Sequence, residues 1–192
     1  MALGIRAVSD ICFKYIFGTE ESTDLLKSFI NAVLSDAGFP TVREVTVVNP
    51  CEPGTYLDEN ISVIDTRVKD EQGNDFGVVV QVRSRADYQD RSLYNWSKAY
   101  TGQLPEGHEY RTLHKVISIS IVDFTLFADH IPFHSCFMLR ENVSPDYVLT
   151  SDCVLHYLET PKLKEKPVTE VEEWLYLLLH AGKDVNSITP SS

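Results

Sequence analysis

The sequence predicts an α/β fold with a mixed β-sheet flanked by helices, and three observations carry that expectation. Apolar residues recur at helical spacing in two segments before and after the first third of the chain. β-branched runs lie between and beyond them, and one strand, helix, strand succession sits in the middle. The 192 residues, 43% of them apolar, are the length of one domain and enough to form a core. Residues 1–182 are read as that single domain and 183–192, rich in Ser, Thr and Pro, as a frayed tail.

Residues 9–18 read as a short helix, with Ser9 or Asp10 as cap and Gly18 as terminator. Over residues 20–37, Leu25, Leu26, Phe29, Ile30, Val33 and Leu34 form one apolar stripe and Gly38 stops it, which predicts an amphipathic helix. Residues 42–48 are β-branched and stop at Asn49-Pro50, as a strand does. A second strand is expected at 62–68, a turn at 70–74 and a third strand at 76–83, giving an antiparallel hairpin. Residues 90–104 place Leu93, Trp96, Tyr100 and Leu104 at spacings of three and four, the pattern of a helix with one apolar stripe. Residues 115–124 follow as a strand alternating Ile117, Ile119 and Ile121 with Val116, Ser118 and Ser120. A strand, a helix and a strand in that order imply a parallel crossover, so the sheet is mixed. Short strands are expected at 135–140 and 154–159. The last helix, about 169–181, opens with the capping box Thr169-x-x-Glu172, closes at Gly182 and carries Val171, Trp174, Leu175 and Leu178 on one stripe.

Charge narrows the functional classes. With 17 basic against 28 acidic residues, a formal balance of −11, the chain does not hold nucleic acid by bulk positive charge, so any DNA contact is local or metal-assisted. The longest apolar run, Trp174 to Leu179, is six residues, far short of the roughly 18 that a membrane span needs. The first ten residues lack the apolar stretch of a secretory signal, which points to the cytoplasm. Cys12, Cys51, Cys136 and Cys153 stand apart, with no C-x-x-C pair, and are read as reduced packing residues.

The residues that invite chemistry lie on the hairpin. Asp65 is a carboxylate in mid-strand, where carboxylates are depleted. With the turn centred near Gln72, Asp65 faces Val79 across the hairpin, with Cβ atoms roughly 4.5–5.5 Å apart. The same face of the third strand carries Asp75, Gly77, Val79, Gln81 and Arg83. This is the outline of a two-strand metal site lacking one ligand. Equally, Asp65 at an exposed edge, or paired with Arg67 or Arg83, is a solvated strand charge with no chemistry.

Several segments, in order, carry a resemblance. They are residues 10–18 (Asp-Ile-Cys-Phe-Lys-Tyr-Ile-Phe-Gly), Val63-Ile64-Asp65, Val80-Gln81, Arg91-Ser92-Leu93-Tyr94, Tyr100-Thr101-Gly102-Gln103-Leu104, residues 110–121, Leu158-Glu159-Thr160-Pro161-Lys162-Leu163 and Glu173-Trp174-Leu175. The chain resembles the PD-(D/E)XK nuclease superfamily, in the branch of recombination-promoting nucleases and transposases, from Ser9 to about His180. The resemblance implies a restriction-endonuclease-like αβββαβ core, the element order already read from the residues. It also implies a metal-dependent DNA endonuclease using Mg²⁺ or Mn²⁺, with catalytic Asp65, Gln81 and Asp10. Asp65 matches the first motif acid, Gln81 the Lys/Gln position, and Asp10 an auxiliary acid from the first helix; Asp65 and Asp10 would hold the metal.

The second motif acid falls on Val79, a degenerate site position. Carboxylates hold the ion that polarises the phosphoryl oxygen and lowers the pKa of its water, and valine does neither. Asp75 lies on the same face but four residues back, about 13 Å along the strand, too far to share an ion with Asp65. The resemblance therefore implies impaired catalysis. The alternative is a catalytically inactive nuclease-fold module, with no cofactor, that binds a partner protein or DNA. Arg83, Arg85, Arg91 and Lys98 form the densest basic cluster and are candidate DNA-phosphate contacts, or else a solvated helix face. The expected partners are double-stranded DNA and a second copy of the chain, with no membrane. His130 and His134 are four apart, but Pro132 between them opposes a helix, so they read as loop or core histidines rather than metal ligands.

Overall fold

The computed structural model describes residues 17, 22–48, 66–81, 84–104, 107 and 109–180. Its elements are α1 (Thr23–Asp36), β1 (Val45–Val47), β2 (Thr66–Asp70), β3 (Asp75–Gln81), α2 (Tyr88–Thr101), β4 (Val116–Val122), β5 (His134–Arg140), β6 (Val148–Glu159) and α3 (Glu170–His180). They form an α/β fold on one six-stranded mixed sheet in the order β1-β2-β3-β4-β6-β5. β1, β2 and β3 run antiparallel to one another, β3 is parallel to β4 across the α2 crossover, β4 is parallel to β6, and β5 returns antiparallel on the far edge.

Alternation along the strands sorts the core into two layers. Val68, Phe76, Val78, Val80, Ile117, Ile119, Ile121, Val154 and Leu158 face α1 and α3, which bury Leu26, Phe29, Ile30 and Val33 and Val171, Leu175 and Leu178 against them. Phe17, the one described residue of the predicted first helix, is helical and packs its ring on Phe29 and Trp174. The opposite face carries Val122, Cys153, Leu155 and Tyr157 beneath Tyr88 of α2. β4 is buried on both faces along its whole length, as a central strand between two helical layers must be.

The hairpin between β2 and β3 turns at Gly73, whose φ of +83° excludes most side chains. A Cβ there would lie 3.0 Å from the His114 ring. Asp70 organises the turn: its Oδ1 accepts the Gln72 and Asn74 amides at 2.9 and 2.8 Å, and its Oδ2 accepts the Asn74 side-chain amide at 2.8 Å. The capping box of α3 is present, with Thr169 Oγ1 accepting the Glu172 amide at 3.3 Å and Glu172 Oε2 accepting the Thr169 amide at 3.1 Å.

Four details depart from the sequence reading. Leu25 is 49% exposed, although it shares the apolar side of α1, and stands in the first turn of the helix. Leu93 is 51% exposed; the buried side of α2 is Tyr88, Ser92 and Ala99, of which Ser92 is hydrogen-bonded and Ala99 small, residues that an apolar template passes over. Residues 42–44 are not strand: the Asn31 side chain takes both backbone groups of Val42, at 2.8 and 2.9 Å, in place of a neighbouring strand. β6 begins at Val148, six residues before the expected start, because its first half pairs with the outer part of β5 beyond the end of β4.

The carboxyl end of the sheet is tied by one buried ion pair. Glu159, fully buried, accepts the Leu126 and Phe127 amides at 2.6 and 3.2 Å and the Lys162 ammonium at 2.8 Å. Lys162 also donates to the carbonyls of Phe127, Ala128 and Ile131 at 3.0–3.1 Å. Removing one partner strands a charge away from water, so Lys162→Met should cost about 3–5 kcal/mol in urea unfolding. Adding Glu159→Gln to it should restore a large part of that loss; equal stability of the single variant and the natural protein would show that the pair carries no load.

Candidate functional site

The site predicted from the sequence lies on the α2 face of β3. Thr66 pairs with Val78, Arg67 with Gly77, Val68 with Phe76 and Lys69 with Asp75. This is the register in which the sequence reading sets Asp65 opposite Val79. Asp65 itself, with Asp10 and Arg83, lies outside the described residues. The same is true of Gly182, the tail 183–192 and all but Phe17 of the predicted first helix.

Val79 and Gln81 are half-buried on that face, toward the carboxyl end of β3. Laterally, Gln81 pairs with Val122 and Val122 with Glu159, so Gln81 and Glu159 project from one face with β4 between them. The Gln81 carbonyl accepts the Asp123 amide at 3.1 Å, and Asp123 Oδ1 accepts the Thr160 hydroxyl at 2.8 Å, which fixes where β3 ends.

Two described carboxylates on the α2 face of the sheet, Asp75 and Glu159, already have structural tasks. Asp75, buried, takes two hydrogen bonds from Arg67 Nε at 2.8 and 3.0 Å and a third from Arg67 Nη2. That bond raises the Arg67 pKa against the opposing effect of burial, and the bidentate geometry leaves Asp75 few lone pairs to give. Glu159 stands two strands from Gln81, about 10 Å away, and is consumed by Lys162 and the 126–127 amides. Among the described residues no three His, Cys, Asp or Glu side chains gather where an ion would fit.

A family model described as a PD-(D/E)XK nuclease family transposase matches residues 7–191. The chain belongs to this family. No curated protein and no solved structure matches it. The mixed sheet with helices on both faces is consistent with the PD-(D/E)XK nuclease fold. The family generally uses a divalent metal; of the positions that the resemblance assigns to it, Asp65 and Asp10 lie outside the described residues and position 79 is a valine, which offers no oxygen.

Of the four basic residues predicted to meet DNA, three are described. Arg85 and Lys98 are exposed and Arg91 is half-buried. Arg85 donates to Asp87 at 3.2 Å, and this bond holds the Asp87 carboxyl below the usual range. Lys98 stands 5.8 Å from the centroid of the Tyr94 ring.

A second group of titratable side chains escapes sequence reading. His134 Nδ1 donates to Asp36 Oδ2 at 2.5 Å, and its Nε2 meets His156 Nδ1 at 3.0 Å. His134 and His156 are 22 residues apart on neighbouring strands, a proximity that no local spacing signals. Since a carboxylate only accepts, a neutral His134 carries its proton on Nδ1 and accepts from His156 at Nε2. His156 is fully buried, and its Nε2 finds no partner among the described residues. Burial first, and the neighbouring His134 second, push its pKa down to about 3.

Unfolded, His156 titrates near 6.5; folded, it resists protonation until about 3. Between those values the unfolded chain holds the extra proton, so the stability associated with a neutral His156 is complete above about pH 6.5 and is lost as the pH falls toward 3. Comparing the natural protein with His156→Phe by urea unfolding across pH 4–7.5 should show the natural protein losing about 1 kcal/mol more per pH unit below 6.5. A difference between the two that is constant with pH would contradict a neutral buried imidazole.

Proposed function

We propose that the chain is a DNA-binding protein on a PD-(D/E)XK nuclease fold whose divalent-metal centre is incomplete at Val79, so that it cleaves DNA poorly or not at all. The observation that carries this reading is that position 79 of β3 is a half-buried valine, while on the same sheet face Asp75 is paired with Arg67 and Glu159 with Lys162, and no described group of three His, Cys, Asp or Glu could hold an ion. In this reading Asp65 and Asp10 hold Mg²⁺ or Mn²⁺ weakly, Gln81 follows at the end of β3, and Arg83, Arg85, Arg91 and Lys98 meet the phosphates of double-stranded DNA. The protein would act in the cytoplasm on recombining or mobile DNA.

A second reading is a catalytically inactive module that binds a partner protein or another copy of the chain. It is favoured by the outer strand β5 and its hairpin with β6, where Phe137, Leu139, Tyr147 and Leu149 are exposed.

Val79→Glu is the decisive variant. With Asp65 and Gln81 in place, it should create Mg²⁺- or Mn²⁺-dependent nicking of plasmid DNA that Asp65→Ala abolishes. A new carboxylate on a half-buried face costs stability unless a cation pairs with it, so the melting temperature of the variant should rise with Mg²⁺ more than that of the natural chain. Vigorous metal-dependent cleavage by the natural chain would overturn the reading. A folded Val79→Glu variant that neither binds metal nor nicks DNA would favour the partner-binding module instead.

A further inference from the structure

α2 lies over β4 with two unlike flanks. On one, Trp96 donates to the Val116 carbonyl at 2.9 Å and stacks on Tyr100 at 5.2 Å between centroids. Tyr100 feels the charge of Asp152 on β6, and Ser92 bonds the Tyr157 hydroxyl of the same strand. This flank therefore looks toward β6. At 100° per residue, Arg91, Tyr94 and Lys98 fall together on the other flank, on the side of β3 and β2. There the sheet presents its site face, Val79 and Gln81 on β3 and the exposed Lys69 on β2.

The composition of this flank is unusual for the chain. Against a net charge of −11, it sets two cations seven residues apart, about 10 Å along the helix axis, on either side of an aromatic ring that is 61% exposed. Two acids stand at the start of the helix: Asp87 is held by Arg85, and Asp90 lies in the first turn beside Arg91. Tyr94 packs into neither core layer, and the Lys98 ammonium near its ring keeps the flank cationic. A polyanion complements the two cations. A duplex would leave the ring idle, since its base faces are stacked inside. A single strand offers phosphates to Arg91 and Lys98 and an unstacked base to Tyr94.

We propose that the Arg91–Tyr94–Lys98 flank of α2 is a binding surface for single-stranded DNA, with Tyr94 stacking on a base while Arg91 and Lys98 hold the adjoining phosphates. The proposal rests on the DNA-binding reading above but changes it at Arg91 and Lys98, which here meet an unpaired or frayed strand, delivered toward the Val79 and Gln81 face, in place of the duplex.

The test is fluorescence anisotropy on a labelled 20-nucleotide strand, alone and annealed to its complement, in EDTA so that no cleavage intervenes. The full chain should prefer the single strand about tenfold or more. Tyr94→Ala should weaken single-strand binding about tenfold, the effect of one lost stacked base, while changing duplex binding less than about twofold. Tyr94→Phe should keep the single-strand affinity. Arg91→Ala combined with Lys98→Ala should weaken binding and reduce the salt dependence of the single-strand affinity by about one to two in slope. Tyr94 is exposed, so its variants fold, and circular dichroism confirms it. Duplex binding equal to or stronger than single-strand binding, or single-strand affinity unmoved by Tyr94→Ala, would overturn the proposal and leave the DNA-binding reading standing. Binding to neither DNA would overturn that reading as well.

Discussion

A carboxylate sealed from water, Glu159, governs how the carboxyl end of this sheet is built. An isolated buried charge is too costly to survive, so two backbone amides and three backbone carbonyls converge around it and Lys162. The ion pair thereby fixes residues 126–131, the connection from β4 toward β5. The next residue along, Thr160, passes the constraint on through its hydroxyl to Asp123, whose amide meets the Gln81 carbonyl. A short line of hydrogen bonds thus runs from the buried pair to the end of β3, where the candidate site begins.

The same economy of charge recurs beside the candidate site. On the α2 face of β2 and β3, Asp75 is drawn into Arg67, and no side chain stands at Gly77 to crowd that pair. Asp75 and Glu159, the two carboxylates described on this face, are therefore fixed as structural anions. A metal centre needs anionic oxygens that are held in place yet uncommitted, and at position 79 the chain supplies a hydrocarbon instead.

The hairpin and its register were legible from sequence because alternation and the Gly73 turn are local signals, and the crossover followed from the order of elements alone. Any role of Val79 was not: by composition it is an ordinary strand valine, and the reading of it as a substituted acid comes from the family resemblance alone. Nor did Leu158-Glu159-Thr160-Pro161-Lys162-Leu163 reveal its role, since a buried Glu–Lys pair reads from sequence as two surface charges. The packing face of α2 misled for a related reason, as Ser92 becomes a core residue only once Tyr157 arrives to bond it. His134 and His156 meet through strand pairing, which sets the partners of a residue far along the chain.

β6 lies between β4 and β5, although β5 precedes it in the chain. During synthesis β5 therefore emerges with no neighbour to receive it, and the backbone groups along one edge of β4 stay unpaired until about a dozen further residues of β6 have left the ribosome. The hairpin of β2 and β3 closes over a short loop, whereas the β4–β6 pairing closes a far longer one and forms late. The sheet is thus completed by insertion rather than by growth at its rim. The interval before β6 arrives is when this chain is most exposed to wrong partners and most in need of a chaperone's cover.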